Sequence, residues 1–460
     1  VPETYDPAFA PDGEVVAASL SYRDFFSDPR LDALIGSALA NNRDLVAATA
    51  RIEQARAQFL IQSSQRLPTI AASAGATRSR FPTGSAGLAP GAGSGTPAAS
   101  GNTGAGSGTG AITTDQLQIG VGVSAFELDF WGRIANLSAA ARAQYLSSVA
   151  AQRAFYLSLI ADVATTYFEL IETGQQIALA EATAKSRREG LDLAKKRLDA
   201  GVDSALTYYQ AETLLTQAEQ QLATEQLAAA RLRNQLQVLV GGEMPADLPP
   251  PLSLEAQENQ LRLAAGMPSD LLLRRPDIVQ AEQALSAARA NIGAARAAFF
   301  PSISLTGRAG LASGSLSGLF DKGSFFYSAG PSIDLPIFDW RRREGQLDLA
   351  KAREVESVAA YEKAIQTAFR EVADGLAGRE FVARQVAVLE RAVRAQEDTA
   401  RIARLRYREG VTDYLQVLDA ERNLFDARRQ LLTTRRAYLQ NQANLFVALG
   451  GGFDGEDQSF

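Results

Sequence analysis

Arg197-Leu198-Asp199-Ala200-Gly201-Val202-Asp203 and Arg406-Tyr407-Arg408-Glu409-Gly410-Val411-Thr412-Asp413 are two versions of one short sequence. Each interrupts a long block without proline. All 17 prolines fall elsewhere, none between Gly132 and Met244 and none after Pro336. A proline inside a helix costs about 3 kcal/mol, so both blocks are candidate long helices. They are rich in Ala, Leu, Gln, Glu and Arg, all strong helix formers. Glycine in the left-handed cap position ends a helix, and an Asp behind it caps the next. Each block is therefore expected to be helix–turn–helix. The first helix, Arg133 to Ala200, spans about 100 Å at 1.5 Å per residue. Gly174, Gly190 and Gly375 are the places where such helices could break.

Helices this long must pack side by side. Leu418, Phe425, Leu432, Leu439 and Phe446 recur every seven residues, and Leu424, Leu431, Tyr438 and Leu445 form an adjacent row. Leu215, Leu222, Ala229 and Leu236 do the same in the first block. A strict seven-residue repeat implies a left-handed coiled coil. An ordinary soluble helical bundle shows the same periodicity.

The duplication extends beyond the turns. Gly201-Val202 precedes Gly241-Gly242 by 40 residues, and Gly410-Val411 precedes Gly450-Gly451 by 40. Asp44 to Pro68 and Asp277 to Pro301 are both 24 residues. The helical parts are offset by 209 and the upstream parts by 233, so the first copy holds an insertion of 24 residues. The insertion falls within Phe81 to Asp115, a run of Gly, Ser, Ala, Thr and Pro that reads as a flexible loop. Beside it Leu117, Ile119, Val121 and Val123 alternate with small or polar residues. Ile303, Leu305 and Ala309 do likewise, and Ile333, Leu335 and Ile337 continue the pattern. Period-two alternation predicts four strands in two hairpins.

Four strands with one apolar face leave two open edges. In lipid those edges are prohibitive, because only closed barrels satisfy the backbone there. The smallest membrane barrels have about eight strands, so closure needs several chains. The alternative is a soluble sheet capping a helical bundle.

Composition narrows the function. The 460 residues are 46% hydrophobic and 21% charged, enough for a sizeable core. The 46 Lys and Arg against 52 Asp and Glu give a net charge of −6, which argues against nucleic acid as a partner. With no Cys and no His, disulfides, Cys/His metal sites and His- or Cys-based catalysis are excluded. No metal, no cofactor and no enzymatic activity are expected. No run of about 18 consecutive apolar residues is present, so no transmembrane helix is expected. The start at Val1 suits a mature chain whose targeting segment has been removed.

Several stretches carry a family resemblance: Leu273-Arg274-Arg275-Pro276-Asp277-Ile278, Glu282, Ala287-Ala288, Ile292-Gly293 and Ala297-Ala298-Phe299-Phe300-Pro301-Ser302-Ile303. Glu127-Leu128-Asp129-Phe130-Trp131-Gly132-Arg133, Tyr361–Phe369 and Leu449-Gly450-Gly451-Gly452 add to it. From roughly Tyr22 to Phe453 the chain resembles TolC-type outer-membrane efflux channels, and most of all their OprM branch. The resemblance implies a mainly α fold with a membrane β-barrel. Three chains would each give four strands to one 12-stranded barrel, continued by a periplasmic coiled-coil barrel. Residues 1–40, 242–270 and 450–460 would form an equatorial girdle. Residues 41–66 and 271–299 would be the shorter helices, and 67–130 and 300–338 the β-hairpins, with the 81–115 loop outside the cell. Residues 131–241 and 339–449 would be the long helical hairpins, with tips at 201–203 and 410–413.

The implied function is a passive outer-membrane exit duct of a tripartite pump. The implied partners are two further copies, a periplasmic adaptor, an inner-membrane RND transporter and outer-membrane lipid. By the same resemblance Leu415 and Asp419 match the constriction rings of the periplasmic gate. Arg422 could tether Asp419 of its own or a neighbouring chain, and Tyr407 stands in the same polar cluster with Asp413. Gly201, Val202, Gly410 and Val411 match the adaptor-docking tips. Gln416 and Thr207 stand where relatives often have acids, which implies a gate with fewer ionic tethers. Trp340-Arg341-Arg342-Arg343 lacks the family's glycine after the fourth strand. Branch members usually carry a lipidated N-terminal Cys, expected here upstream of Val1. Two alternatives stay open: a channel for type I secretion or metal export, and a soluble periplasmic coiled-coil scaffold.

Overall fold

The computed structural model describes residues 15–17, 20–82, 111–245, 247–257, 263–264 and 275–452. The chain runs β1 (Val15–Val16), α1 (Tyr22–Phe25), α2 (Pro29–Asn41), α3 (Arg43–Ser64), β2 (Ile70–Pro82) and β3 (Ala111–Glu127). It continues through α4 (Arg133–Asp199), α5 (Ala205–Val240), β4 (Leu263–Ala264), α6 (Pro276–Ala297), β5 (Ser302–Ser313), β6 (Phe325–Asp334), α7 (Arg342–Arg408) and α8 (Tyr414–Ala448). The duplication shows in the lengths. Helices α3 and α6 have 22 residues each, α4 and α7 have 67 each, and α5 and α8 have 36 and 35. Gly174, Gly190 and Gly375 lie inside continuous helix. A penalty of about 1 kcal/mol per glycine is too small to break it.

Three expectations change. Both ends of the 81–115 stretch are strand, since β2 reaches Pro82 and β3 starts at Ala111; residues 83–110 lie outside those described. Leu335 and Ile337 are not strand residues, because β6 stops at Asp334 and Pro336 behind it has no N–H to offer a ladder. One helix, α4, does contain an 18-residue stretch apolar enough to cross a membrane, with mean hydropathy 1.3. Leu157, Leu159, Ile160, Val163 and Tyr167 of α4 are buried in protein core, and that packing accounts for its apolar character.

The chain forms two compact units. One holds residues up to Gln54, Leu146–Gln283 and the chain from Val358; the other holds Ala55–Tyr145 and Ala284–Ser357. The core of the first gathers α1, α2, α4, α5 and α8 around Leu34, Ile35, Ile160, Tyr167, Leu236 and Phe446, with Phe25 stacked on Phe446 at 4.0 Å. Asp28 ties this region together. It caps α2 through the Arg30 N–H at 2.9 Å and accepts from the Tyr167 hydroxyl at 2.6 Å. At the end of α5, Gly241 has φ 83° and no room for a Cβ, which would run into the Asn41 carbonyl. Arg275 fastens the start of α6. It pairs with Asp277 at 2.7 Å and Glu371 at 2.8 Å and donates to the Ala448 carbonyl at 3.2 Å.

The second unit contains an antiparallel sheet in the order β2-β3-β5-β6. Cross-strand register sorts its residues by face, because directly paired residues point the same way. One face carries the rows Ala72–Val121–Ala309–Tyr327 and Ala74–Ile119–Leu311–Phe325, with Ile70, Leu305 and Ile333. Ile70, Tyr327 and Ile333 are each at least 70% exposed, so protein does not cover this apolar face. The other face carries Thr77, Gln116, Gln118, Gly120, Gly122, Thr306, Arg308, Ser328 and Ser332. A bulge between Val123 and Phe126, with Ala125 at φ 50°, adds one residue and keeps Phe126 on the apolar side.

Aromatic residues collect where strands meet helices. Trp131 stacks on Phe300 at 4.7 Å and donates to the Pro301 carbonyl at 2.8 Å; Phe338 packs edge-on against Trp340 at 4.7 Å. Sequence reading used Trp131 and Phe300 only as family markers and missed this belt. The signal available was aromatic clustering at strand ends, as at membrane interfaces. The bend into α4 uses Gly132 at φ 74°, whereas the bend into α7 places Trp340 and Arg341 at φ 54° and 66°. Each left-handed non-glycine residue costs about 1–2 kcal/mol. Arg343 offsets part of this by pairing with Asp339 at 2.6 Å and donating to the Pro336 carbonyl at 2.6 Å.

Candidate functional site

The two helical turns close with the same hydrogen bonds. At the first, Gly201 N–H donates to Leu198 O at 2.9 Å and Val202 N–H to Arg197 O at 3.0 Å. At the second, Gly410 donates to Tyr407 O at 3.0 Å and Val411 to Arg406 O at 2.9 Å. This is the Schellman closure, which requires a left-handed residue; the glycines have φ 72° and 74°. Val202 and Val411 behind them are 67% and 65% exposed. The turns thus present two small apolar side chains on bare backbone.

The residues after the turns differ from the expected caps. Ser204, not Asp203, caps α5, its hydroxyl accepting from Thr207 N–H at 3.4 Å. Asp203 instead accepts from Ser204 N–H at 2.8 Å and from the Thr207 hydroxyl at 2.7 Å. The Thr207 bond is the main reason its carboxyl is held below the usual range, with the Arg197 charge adding to it. Asp413 occupies the cap position of α8 but its side chain accepts no capping bond.

The expected polar cluster divides in two. Tyr407 is buried, 6% exposed, with Ala400, Ala403, Val417, Ala420 and Leu424. Its hydroxyl donates to Asp203 of the other turn at 3.4 Å, and the Arg197 guanidinium lies 4.8 Å over its ring. Burial holds the Tyr407 hydroxyl above its ordinary pKa and pushes that of neighbouring Tyr414 up to about 12. Tyr407 therefore joins the two tips within one chain and does not contact Asp419 or Arg422 in these hydrogen bonds and ion pairs.

Leu415, Asp419 and Arg422 lie at spacing four and three, one stripe of α8. All three are exposed, whereas Val417, Leu418 and Ala420 between them, and Leu424 just beyond, are buried. Arg422 donates to Asp419 at 3.1 Å within the same helix. The pair is more than half exposed on both sides, so its contribution to folding is about 0–1 kcal/mol. Another side of α8, carrying Tyr414, Val417, Leu418 and Glu421, borders a cavity of about 180 Å³ that is also lined by Arg187, Gly190, Arg404 and Tyr407, among others. Among the described residues no group of three or more potential metal ligands converges.

Comparison with known proteins places the chain. The profile of the outer membrane efflux protein family matches residues 34–242 and 267–451. The probable efflux pump outer membrane protein TtgC of Pseudomonas putida is 40% identical over 454 residues, 97% of this chain and 88% of that protein. The solvent efflux pump outer membrane protein SrpC of Pseudomonas putida is 43% identical over 434 residues, 94% and 87% of the two chains. Among solved structures, the open-state MtrE outer membrane channel of Neisseria gonorrhoeae superposes with TM-score 0.83 at 36% identity, covering 98% of this chain and 96% of that one. The chain belongs to the outer membrane efflux protein family, channels of the outer membrane through which efflux pumps discharge.

Proposed function

We propose that three copies of this chain close one twelve-stranded barrel and form the exit duct of a tripartite pump. The observation that carries this reading is the four-stranded sheet. One face is apolar and exposed, the opposite face is polar, and the outer edges of β2 and β6 pair with no strand among the described residues. Lipid on the apolar face demands closure of those edges, and further copies supply it. The duct performs no chemistry of its own; a periplasmic adaptor and an RND transporter load and drive it. Its cargo is small organic compounds, in line with relatives named for toluene and solvent efflux. Residues 1–40, 242–270 and 450–460 form the equatorial girdle.

The gate of this duct is the exposed stripe of α8. Three Leu415 side chains form an apolar ring and three Asp419 carboxylates an anionic one, with Arg422 holding Asp419 in place. Tyr407 holds the two tips of each chain together, and Gly201-Val202 and Gly410-Val411 dock the adaptor. In planar bilayers the wild-type protein should conduct weakly, and Asp419→Ala with Arg422→Ala should raise single-channel conductance severalfold. Unchanged conductance removes these residues from the gate. A protein that forms no channel under either condition refutes the duct.

A further inference from the structure

We infer that Arg308 gives the barrel a binding site for small anions on its polar face; this rests on the reading that this face lines a channel. Register fixes the side of the sheet. Arg308 stands between Gly122 on β3 and Ser328 on β6, in line with Gln118, Gly120, Thr306 and Ser332 rather than with the apolar rows. The first carbons of its stem lie against Gly122 of β3. A Cβ at Gly122 would come within 2.9 Å of Arg308 Cγ, so glycine there makes the space the side chain occupies. The side chain is exposed.

The charge on this face is isolated. Between the Thr77–Gln116 row and the Thr306–Gly330 row, Arg308 alone carries a charge, and it makes no ion pair among the described residues. Glu127 lies on the Ser304 row, four residues or about 13 Å along the strand. That carboxylate is already held by Arg133 at 2.9 Å. A soluble surface intersperses both signs; here a single guanidinium stands among glycine, alanine, serine, threonine and glutamine, with one aromatic ring, Phe326, on the adjacent Gly120–Gly310 row. Three copies put three guanidinium groups at one height inside a low-dielectric wall, which focuses their field into the lumen. The ligand class is small anions with planar or tetrahedral oxygens, carboxylates, sulfonates and phosphates, which guanidinium grips bidentately. The Asp419 ring has the opposite sign, so the two ends of the duct would select differently.

These 460 residues include no Cys, so Ser328→Cys installs a unique thiol among them, directly across from Arg308. The experiment compares its modification by an anionic sulfonatoethyl and a cationic trimethylammonioethyl methanethiosulfonate, on the protein in outer-membrane vesicles. Entry is from the barrel mouth, so the periplasmic gate does not enter. A unit charge about 5.5 Å away in water is worth a few-fold in each rate, hence about tenfold in their ratio. Arg308→Gln should lower the anionic-to-cationic ratio by about tenfold in low salt, and Arg308→Lys should keep most of it. The difference should fade near 1 M salt, where the Debye length is about 3 Å. A ratio that does not change in Arg308→Gln overturns the anion site and leaves the channel standing. A Ser328→Cys thiol that neither water-soluble reagent reaches overturns both.

Discussion

At the first helical tip Asp203 gathers Ser204, Thr207, Arg197 and the Tyr407 hydroxyl of the other repeat. At the second tip Asp413 sits in the cap and its side chain makes no capping bond. The turns themselves are alike to the level of individual hydrogen bonds, as the paired glycines require. Duplication preserved the closure and let the flanking polar residues diverge. The first tip is fastened by Asp203, and the second by the Tyr407 ring against Tyr414 and by Arg404 paired with Glu421 across α7 and α8, while Asp419–Arg422 lies within α8 alone. Opening that moves the second hairpin away from the first breaks the contacts of Tyr407 with Asp203 and Arg197, and the stripe assigned to the gate lies on that hairpin.

Removing Tyr407 attacks the link between the tips. Tyr407→Ala should destabilise the tip region by about 3 kcal/mol, as for other buried aromatic truncations, read as lost amide hydrogen-exchange protection at both turns. Tyr407→Phe should cost only about 0.5–1.5 kcal/mol, because it keeps the packing and loses one long hydrogen bond. Equal losses would mean that the hydroxyl, not the ring, joins the tips. The shared closure predicts symmetry: Gly201→Ala and Gly410→Ala should each cost about 1–2 kcal/mol, with nothing nearby to clash and only the left-handed backbone to strain. Very unequal costs would mean the turns are not equivalent.

The caps predict asymmetry. Ser204→Ala should cost about 1 kcal/mol at the first tip, while Asp413→Ala should cost little at the second. Acid should discriminate in the same way. The Asp203 carboxyl is held low in the folded chain, chiefly by Thr207, so its contribution is present above its unfolded pKa of about 3.9 and is lost as pH falls through the lower folded value. Exchange at the first tip should rise below about pH 4, and Asp203→Asn should abolish that rise. The smallest effect on folding belongs to Asp419→Ala with Arg422→Ala, within about 1 kcal/mol, even though its effect on conductance is large.

Much of this was legible in the sequence. The proline-free blocks, the two Gly-Val turns and the alternation from Leu117 to Val123 mark the long helices, the tips and the sheet, because each rests on local geometry. The side chains that join separate segments were not legible. Asp203 and Tyr407 are 204 residues apart, and nothing in local spacing says that they meet. The same holds for Arg275 with Glu371 and Ala448, although Arg275 stood out as part of a motif. Trp340 and Arg341 in left-handed conformation replace an absent glycine through long-side-chain pairing that sequence alone does not reveal. Face assignment of Arg308 needed the cross-strand register.

The duct exists only if strands of different copies share one cylinder. The mass of the intact protein, extracted in mild detergent and weighed as a complex, tests this most directly. The prediction is three chains of 49.1 kDa each, held together without covalent links. A stable single chain of 49.1 kDa with its four-stranded sheet intact and no need of detergent would contradict it.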